Sequence, residues 1–214
     1  MGLSSDAHAI YESRIRRTIK AISGLRANGK ILDIGCQSGS VCAELQRLGY
    51  EPSGIEIDSR SVDLARGAHP DIPFVVGNCE KEIPFHDGSF DVVWAGEVIE
   101  HVAHTDVFIN EINRVLKIGG YLILTTPMHN RIKSLFVVLF KFEKHFNPEF
   151  PHYRFYTKRS LSAVLERRGF EIVEVDYIGR IPVVANVIFM IARKAATKAV
   201  FSDFRLSADN RDPQ

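Results

Sequence analysis

Cysteine is scarce in this chain. Its three residues, Cys36, Cys42 and Cys79, are an odd set lying in stretches patterned like strand ends and a helix, which argues against a disulfide framework and fits a reducing cytoplasm. An excess of charge of either sign is also lacking. With 27 basic and 26 acidic residues the formal net charge is +1, so the chain has no global polyelectrolyte character and does not advertise nucleic acid as a partner. No apolar run reaches the roughly 18 residues of a membrane-spanning helix, and the opening stretch MGLSSDAHAIYESRIRRTIKAI has no apolar signal core. Internal repeats, low-complexity tracts and linkers are missing as well. What is present is 214 residues, 45% of them hydrophobic, enough for one soluble domain over 1–214 with an ample core.

Apolar strand-like runs alternate with helical patterns. KILDIG precedes SVCAELQRLGY, with Val41, Leu45 and Leu48 at helical spacing and Gly49 as a stop; PSGIEID precedes SRSVDLARGA, capped by Asp58 or Ser59. IPFVVGN reads as a third strand and FDVVWAG as a fourth. TDVFINEINRVLKIGG reads as a helix ending at its glycine pair, followed by YLILTTP as a fifth strand stopped by Pro127. This β-α alternation predicts an α/β fold, a doubly wound and mainly parallel sheet with helices on both faces and right-handed crossovers. Residues 1–29 read as a leading amphipathic helix. KRSLSAVLERRGF reads as a late helix stopped by Gly169, before the strand EIVEVDYI.

In such a sheet the ligand crevice lies beyond the carboxyl ends of the strands, beside the first strand. ILDIGCQSGS, residues 31–40, falls there. Gly35 permits backbone geometry and close ligand approach that a Cβ would obstruct, Gly39 lets the loop meet the next helix closely, and Asp33 puts an acceptor at the rim. A tight βα turn without a ligand is the plain alternative. Glu56, some 21 positions beyond Gly35 and at the end of the second strand, matches the spacing of about 20 at which an acid accepts both ribose hydroxyls. A dinucleotide would want G-x-G-x-x-G to cradle pyrophosphate, yet Asp33 and Ser40 stand at the first and last positions of that pattern. An acid facing the entry suits a cationic, phosphate-free nucleoside, and S-adenosylmethionine is such a molecule.

On these motifs the chain resembles the class I S-adenosylmethionine-dependent methyltransferases over most of residues 28–193. LDIGCQSG resembles the family's first glycine motif and GIEID its ribose-binding strand end. GNCEKEIPFHDGSFDVVWAGEVIEHV resembles the adenine-side loop with the fourth strand, and INRVLKIGGYLILTTP the helix and fifth strand. The resemblance implies a seven-stranded Rossmann-like sheet with an antiparallel last strand near Asn186 to Arg193, a stretch whose own period also permits a helix. It implies that Asp33 and Gly35 face the methionine part of the cofactor, Glu56 the ribose, Ile57 the adenine face, and Asn78 with Cys79 the adenine edge. Cys36, Gly39, Ala95 and Gly96 complete the implied cofactor site. Asn78 replaces the commoner Asp of relatives and can still accept through its amide oxygen; Ile118 stands where relatives often have proline.

Methyl transfer asks the protein mainly for positioning, plus a base when the acceptor is a hydroxyl. In EVIEHV, Glu97, Glu100 and His101 stand at i, i+3 and i+4, which in a helical turn puts all three on one face at the crevice. His101 is the candidate base, with Glu100 beside it. The pair as a cap and brace of the loop is one alternative. Another is a hard-metal site for Mg²⁺ or a similar ion, with His152 as a fourth ligand. The E-x-x-E-H pattern is similar to that of ubiquinone-pathway O-methyltransferases and of small-RNA 2′-O-methyltransferases. Residues 128–160 are long for one connection and predict a lid over the acceptor pocket, with residues 1–29, including Tyr11 and Arg14, as a second cover. Within that lid, Leu135, Phe136, Val137, Val138, Leu139, Phe140 and Phe142 are edged by Arg131, Lys133, Lys141 and Lys144. Three readings fit residues 131–146: a cover on an apolar acceptor, an in-plane membrane contact, or a helix buried in the core. His129, His145 and His152 fall in the same stretch. The expected activity is O-methylation of a small apolar or aromatic molecule. The rivals are a nucleic-acid 2′-O-methyltransferase and an S-adenosylmethionine-binding module without catalysis; oligomeric state is not legible.

Overall fold

The computed structural model describes residues 5–25, 29–129, 131–140, 142, 153–179 and 187–196. Helix α1 (Ser5–Gly24) leads into β1 (Lys30–Ile34), α2 (Ser40–Arg47), β2 (Glu51–Glu56), α3 (Ser59–Ala68), β3 (Phe74–Val76) and β4 (Phe90–Gly96). A single 3₁₀ turn (Ile99–His101) is followed by α4 (Thr105–Val115), β5 (Leu116–Pro127), α5 (Arg131–Phe140), α6 (Lys158–Glu166), β6 (Phe170–Ile178) and β7 (Val187–Lys194). The seven strands form one sheet in the order β3-β2-β1-β4-β5-β7-β6. The pairs from β3 to β5 are parallel, and β7 inserts antiparallel between β5 and β6. The 187–194 stretch is therefore a strand, not a helix. The order reverses between β1 and β4, so the switch point opens at their C-terminal ends.

Strand parity divides the core. Leu32 and Ile34 of β1, Val93 and Ala95 of β4, and Ile188 and Met190 of β7 pack with Phe108, Ile109 and Ile112 of α4 and Leu161 and Leu165 of α6. The alternate residues Ile31, Val92, Trp94, Ile123, Phe189 and Ile191 pack with Ala21 and Ile22 of α1 and Val41 and Leu45 of α2. Both faces of the sheet are covered, as a parallel sheet requires. Asp58 caps α3 by accepting from the Ser61 N–H at 3.1 Å, and Thr157 with Ser160 forms a reciprocal capping box on α6.

Two expectations are corrected. The helix over 105–120 does not reach its glycine pair: α4 ends at Val115 and β5 begins at Leu116, pairing Phe90 with Leu116 and then Val92 with Tyr121. Lys117 to Gly120 form a bulge, and Gly119, at φ +77°, serves that bulge and not a helix end. The core reading of α5 also fails, because Leu135, Val138, Leu139 and Phe140, with Phe142 beyond the helix, are 50% or more exposed. His145, His152 and Lys144 lie outside the described residues. No described helix is long and apolar enough to cross a membrane.

Candidate functional site

A cleft of about 160 Å³ opens where the topology requires it. Its walls are Ile34 and Gly35 after β1, Ile55 to Ile57 at the tip of β2, Gly77 to Glu80 after β3, and Val98, His101 and Val102 after β4. Gly35 adopts φ +74°, and a Cβ there would come within 2.9 Å of the Val98 side chain, narrowing the cleft at its floor. Its N–H donates to the Ile55 carbonyl at 2.8 Å, tying the glycine loop to β2. The loop then turns into α2 through Gly39 at φ +80°.

Glu56 is held by the backbone on both sides of the cleft mouth. Its Oε1 accepts from the Ile57 and Asp58 N–H groups at 2.7 and 3.2 Å, and its Oε2 from the Gln37 N–H of the glycine loop at 3.2 Å. The carboxylate is thereby oriented before any ligand arrives, with lone-pair capacity left over. Ile57 beside it is 66% exposed, an apolar side chain at the rim that a flat ring would cover. Asn78 accepts from the Glu80 N–H through its amide oxygen at 2.8 Å, so one lone pair of that oxygen is already engaged. Glu80 in turn accepts from the Ala103 and His104 N–H groups, both at 2.8 Å. It staples the loop after β3 to the segment after β4 and fixes the width of the cleft. This bracing residue was not singled out from sequence; its signal, an acid two positions after Asn78, has no periodicity to mark it.

Of the sequence-predicted cofactor residues, Gly35, Glu56, Ile57, Asn78 and Cys79 line the cleft; Asp33, Cys36, Gly39, Ala95 and Gly96 do not. Asp33 is not at the rim. It is 2% exposed, on the same side of β1 as Ile31 and under α2, where the Cys42 thiol donates to its Oδ2 at 3.5 Å. Burial pushes its carboxyl up to about 7, with the Cys42 bond opposing and the Glu56 charge adding. Cys36 and Cys42 pack with Val62, Ala65 and Phe74. Burial holds the Cys36 and Cys79 thiols at about 12, far from thiolate chemistry. Ala95 is buried toward α4, and Gly96 ends β4 against the Trp94 indole, which a Cβ would strike.

Glu97, Glu100 and His101 do not share a helical face. Glu97 sits at φ +58°, outside the short turn that covers only Ile99–His101. His101 lines the cleft, whereas Glu100 is 1% exposed and accepts from the Thr126 hydroxyl at 3.0 Å. Burial, then the charge of Glu97, pushes the Glu100 carboxyl up to about 8. Its carbonyl accepts from the Tyr153 and Arg154 N–H groups at 2.9 and 3.3 Å. Glu100 therefore braces the turn that carries His101. Among the described residues no three His, Cys, Asp or Glu side chains converge as metal ligands; His152, the fourth ligand of the alternative metal reading, lies outside the described residues.

Helix α1 closes the neighbouring side. Tyr11 and Ser40 hydroxyls meet at 3.4 Å, and Arg14 reaches Glu97 at 3.4 Å. Three buried polar atoms here have no hydrogen-bond partner, Arg14 Nε, Glu100 Oε1 and Thr125 Oγ1, while Glu97 Oε1 holds the Arg14 ion pair. Buried polar atoms are nearly always satisfied, so this patch next to the cleft is prepared for polar groups of a bound molecule.

Comparison with known proteins supports the same reading. A family described as a methyltransferase domain matches residues 7–175. The mitochondrial ubiquinone biosynthesis O-methyltransferase of Mus musculus is 30% identical over 163 residues, covering 72% of this chain and 43% of that protein. The demethylmenaquinone methyltransferase of Chlorobaculum tepidum is 32% identical over 130 residues, covering 59% of this chain and 53% of its own. The chain thus spans about half the length of these curated relatives. A solved SAM-dependent methyltransferase from Methanosarcina mazei superposes with a TM-score of 0.65 at 25% identity, over 91% of this chain and 99% of that one.

Proposed function

Because the chain belongs to the methyltransferase-domain family, we propose that it transfers a methyl group from S-adenosylmethionine to a hydroxyl of a small aromatic acceptor. One observation carries the choice of cofactor: the cleft is walled by two acids, Glu56 and Glu80, and by no lysine or arginine. Such a wall repels phosphate and suits a cationic nucleoside without one. The volume of about 160 Å³ matches the nucleoside part alone, since whole drug-sized ligands need about 300 Å³ or more. The amino-acid end then lies toward the polar side chains of Arg14, Glu97, Glu100 and Thr125.

When bound, the cofactor supplies an activated methyl on a sulfonium and departs as a neutral thioether. Glu56 holds the ribose and Ile57 covers the base, while Asn78 and Cys79 meet its edge. Asp33 acts from beneath α2 through its charge and not by contact. His101 accepts the hydroxyl proton on a ring nitrogen, and Glu100 keeps its turn in place. Helix α1 and the described parts of the stretch from 128 to 160, α5 and residues 153–157, cover the acceptor. Because its relatives are named for ubiquinone and menaquinone synthesis, a hydroxylated quinone precursor is the first acceptor to try.

The test is label transfer from methyl-labelled S-adenosylmethionine to that precursor, with His101→Asn alongside. Wild type labels the acceptor oxygen, and the variant loses about 10²- to 10⁴-fold in kcat with cofactor affinity kept. A folded protein that gives no heat with the cofactor or its demethylated product overturns the proposal.

A further inference from the structure

A second and larger cleft, about 570 Å³, lies between α4, residues 153–156 and α6. Three arginines line it, Arg154, Arg167 and Arg168, against one carboxylate, Asp106. Elsewhere Arg14, Arg17, Arg47, Arg66 and Arg114 each pair with an acid, while Arg16 and Arg193 rest singly on carbonyls. The three arginines of this cleft pair with none among the described residues. They rest instead on backbone carbonyls: Arg154 on Val102 and Ala103, Arg167 on Ala163, and Arg168 on Val164. Those bonds aim the guanidiniums without neutralising them. Arg168 Nε is in addition buried and donates to nothing, and the charges of Arg154 and Arg168 both act on the Tyr156 hydroxyl. A group of uncompensated guanidiniums in one recess is the arrangement that recognises phosphate. The wall beside them is aromatic, with Tyr153 69% exposed and Phe155 45% exposed at the mouth. Flat rings stack on such side chains, and arginine planes add to that contact.

We propose that this cleft binds an aryl phosphate, a phosphate group carried on a flat ring, with Arg154, Arg167 and Arg168 holding the phosphate and Tyr153 the ring. This site is separate from the nucleoside cleft, whose walls carry no lysine or arginine and two acids, so the two recesses select opposite charges. The proposal does not depend on the reaction assigned above.

The experiment is calorimetric titration of the full chain with phenyl phosphate, inorganic phosphate and phenol. Phenyl phosphate carries no nucleoside and therefore does not report on the first cleft. It binds at least about tenfold more tightly than either fragment, and added salt weakens it. Arg167→Gln leaves the fold intact, because that side chain bonds only its own helix, and weakens phenyl phosphate by about tenfold. Tyr153→Ala weakens phenyl phosphate while sparing inorganic phosphate. Absence of heat at millimolar phenyl phosphate, or an affinity unmoved by both Arg167→Gln and Arg168→Gln, overturns the assignment.

Discussion

In the function proposed above, Glu56 is the residue on which cofactor recognition turns. Three backbone N–H groups from two different loops converge on its two oxygens, so the side chain is costly to move and keeps lone-pair capacity for the proposed ribose. Two charge-assisted hydrogen bonds to hydroxyls, each worth about 1.5–3 kcal/mol, make Glu56→Ala at least about 100-fold weaker for S-adenosylmethionine by calorimetry. Unchanged affinity would remove the ribose from this carboxylate. Spacing points to Gly35, Glu56 and His101, and the family resemblance adds Ile57, Asn78 and Cys79; all six line the cleft. Asp33 was misplaced for a reason that parity supplies. Leu32 and Ile34 face α4 while Ile31 faces α1 and α2, so an acid between Leu32 and Ile34 has to lie under α2 and not at the rim.

Among the elements, the loop after β3 is held to α4 chiefly through Arg114 and Glu111. Arg114 donates to the carbonyls of Ile83 and Phe85 and to the carboxylates of Asp87 and Glu111, through five bonds at 2.8 Å or less. Glu111 completes the ring by accepting from the Ile83 N–H. Arg114→Leu leaves those acceptors unpaired and costs about 2–4 kcal/mol in urea unfolding. Thr157→Ala, which opens the capping box of α6, costs about 1 kcal/mol. A loss within error for Arg114→Leu would mean that water replaces the network. The strands and helices were largely readable from period, because buried parallel strands are continuously apolar and helices carry 3.6-residue stripes. What escaped were features set by tertiary contact. The helix was carried to Gly119 and Gly120 although Leu116 already pairs with Phe90, and nothing in the apolar run of α5 distinguishes a buried face from the exposed one that the fold produces.

At the scale of the whole molecule, two buried acids, with Glu97 raised by burial in the same direction, weigh on the dependence of stability on pH. Asp33 titrates at about 7 and Glu100 at about 8 in the fold, against ordinary values of 3.8 and 4.5. Between those limits the native state keeps protons that the unfolded chain has released. Stability is therefore highest at the acid end of the window and falls as pH rises through 7 and 8, by up to about 1.4 kcal/mol per unit per group. Urea midpoints measured from pH 5 to 8 show that decline in wild type, and a shallower one in Asp33→Asn and in Glu100→Gln. Parallel curves would mean that neither acid holds its proton.

The strand β7 is the last described element of the chain, yet it lies inside the sheet, with β5 on one edge and β6 on the other. During synthesis on the ribosome the first five strands can associate early, but β6 has no neighbour to join until residues 187–194 leave the exit tunnel. Until then the margin of β5 is a row of unmet amides and carbonyls over an apolar surface, and a translational pause just upstream of Val187 leaves the nascent chain most exposed to chaperones or to other copies of itself.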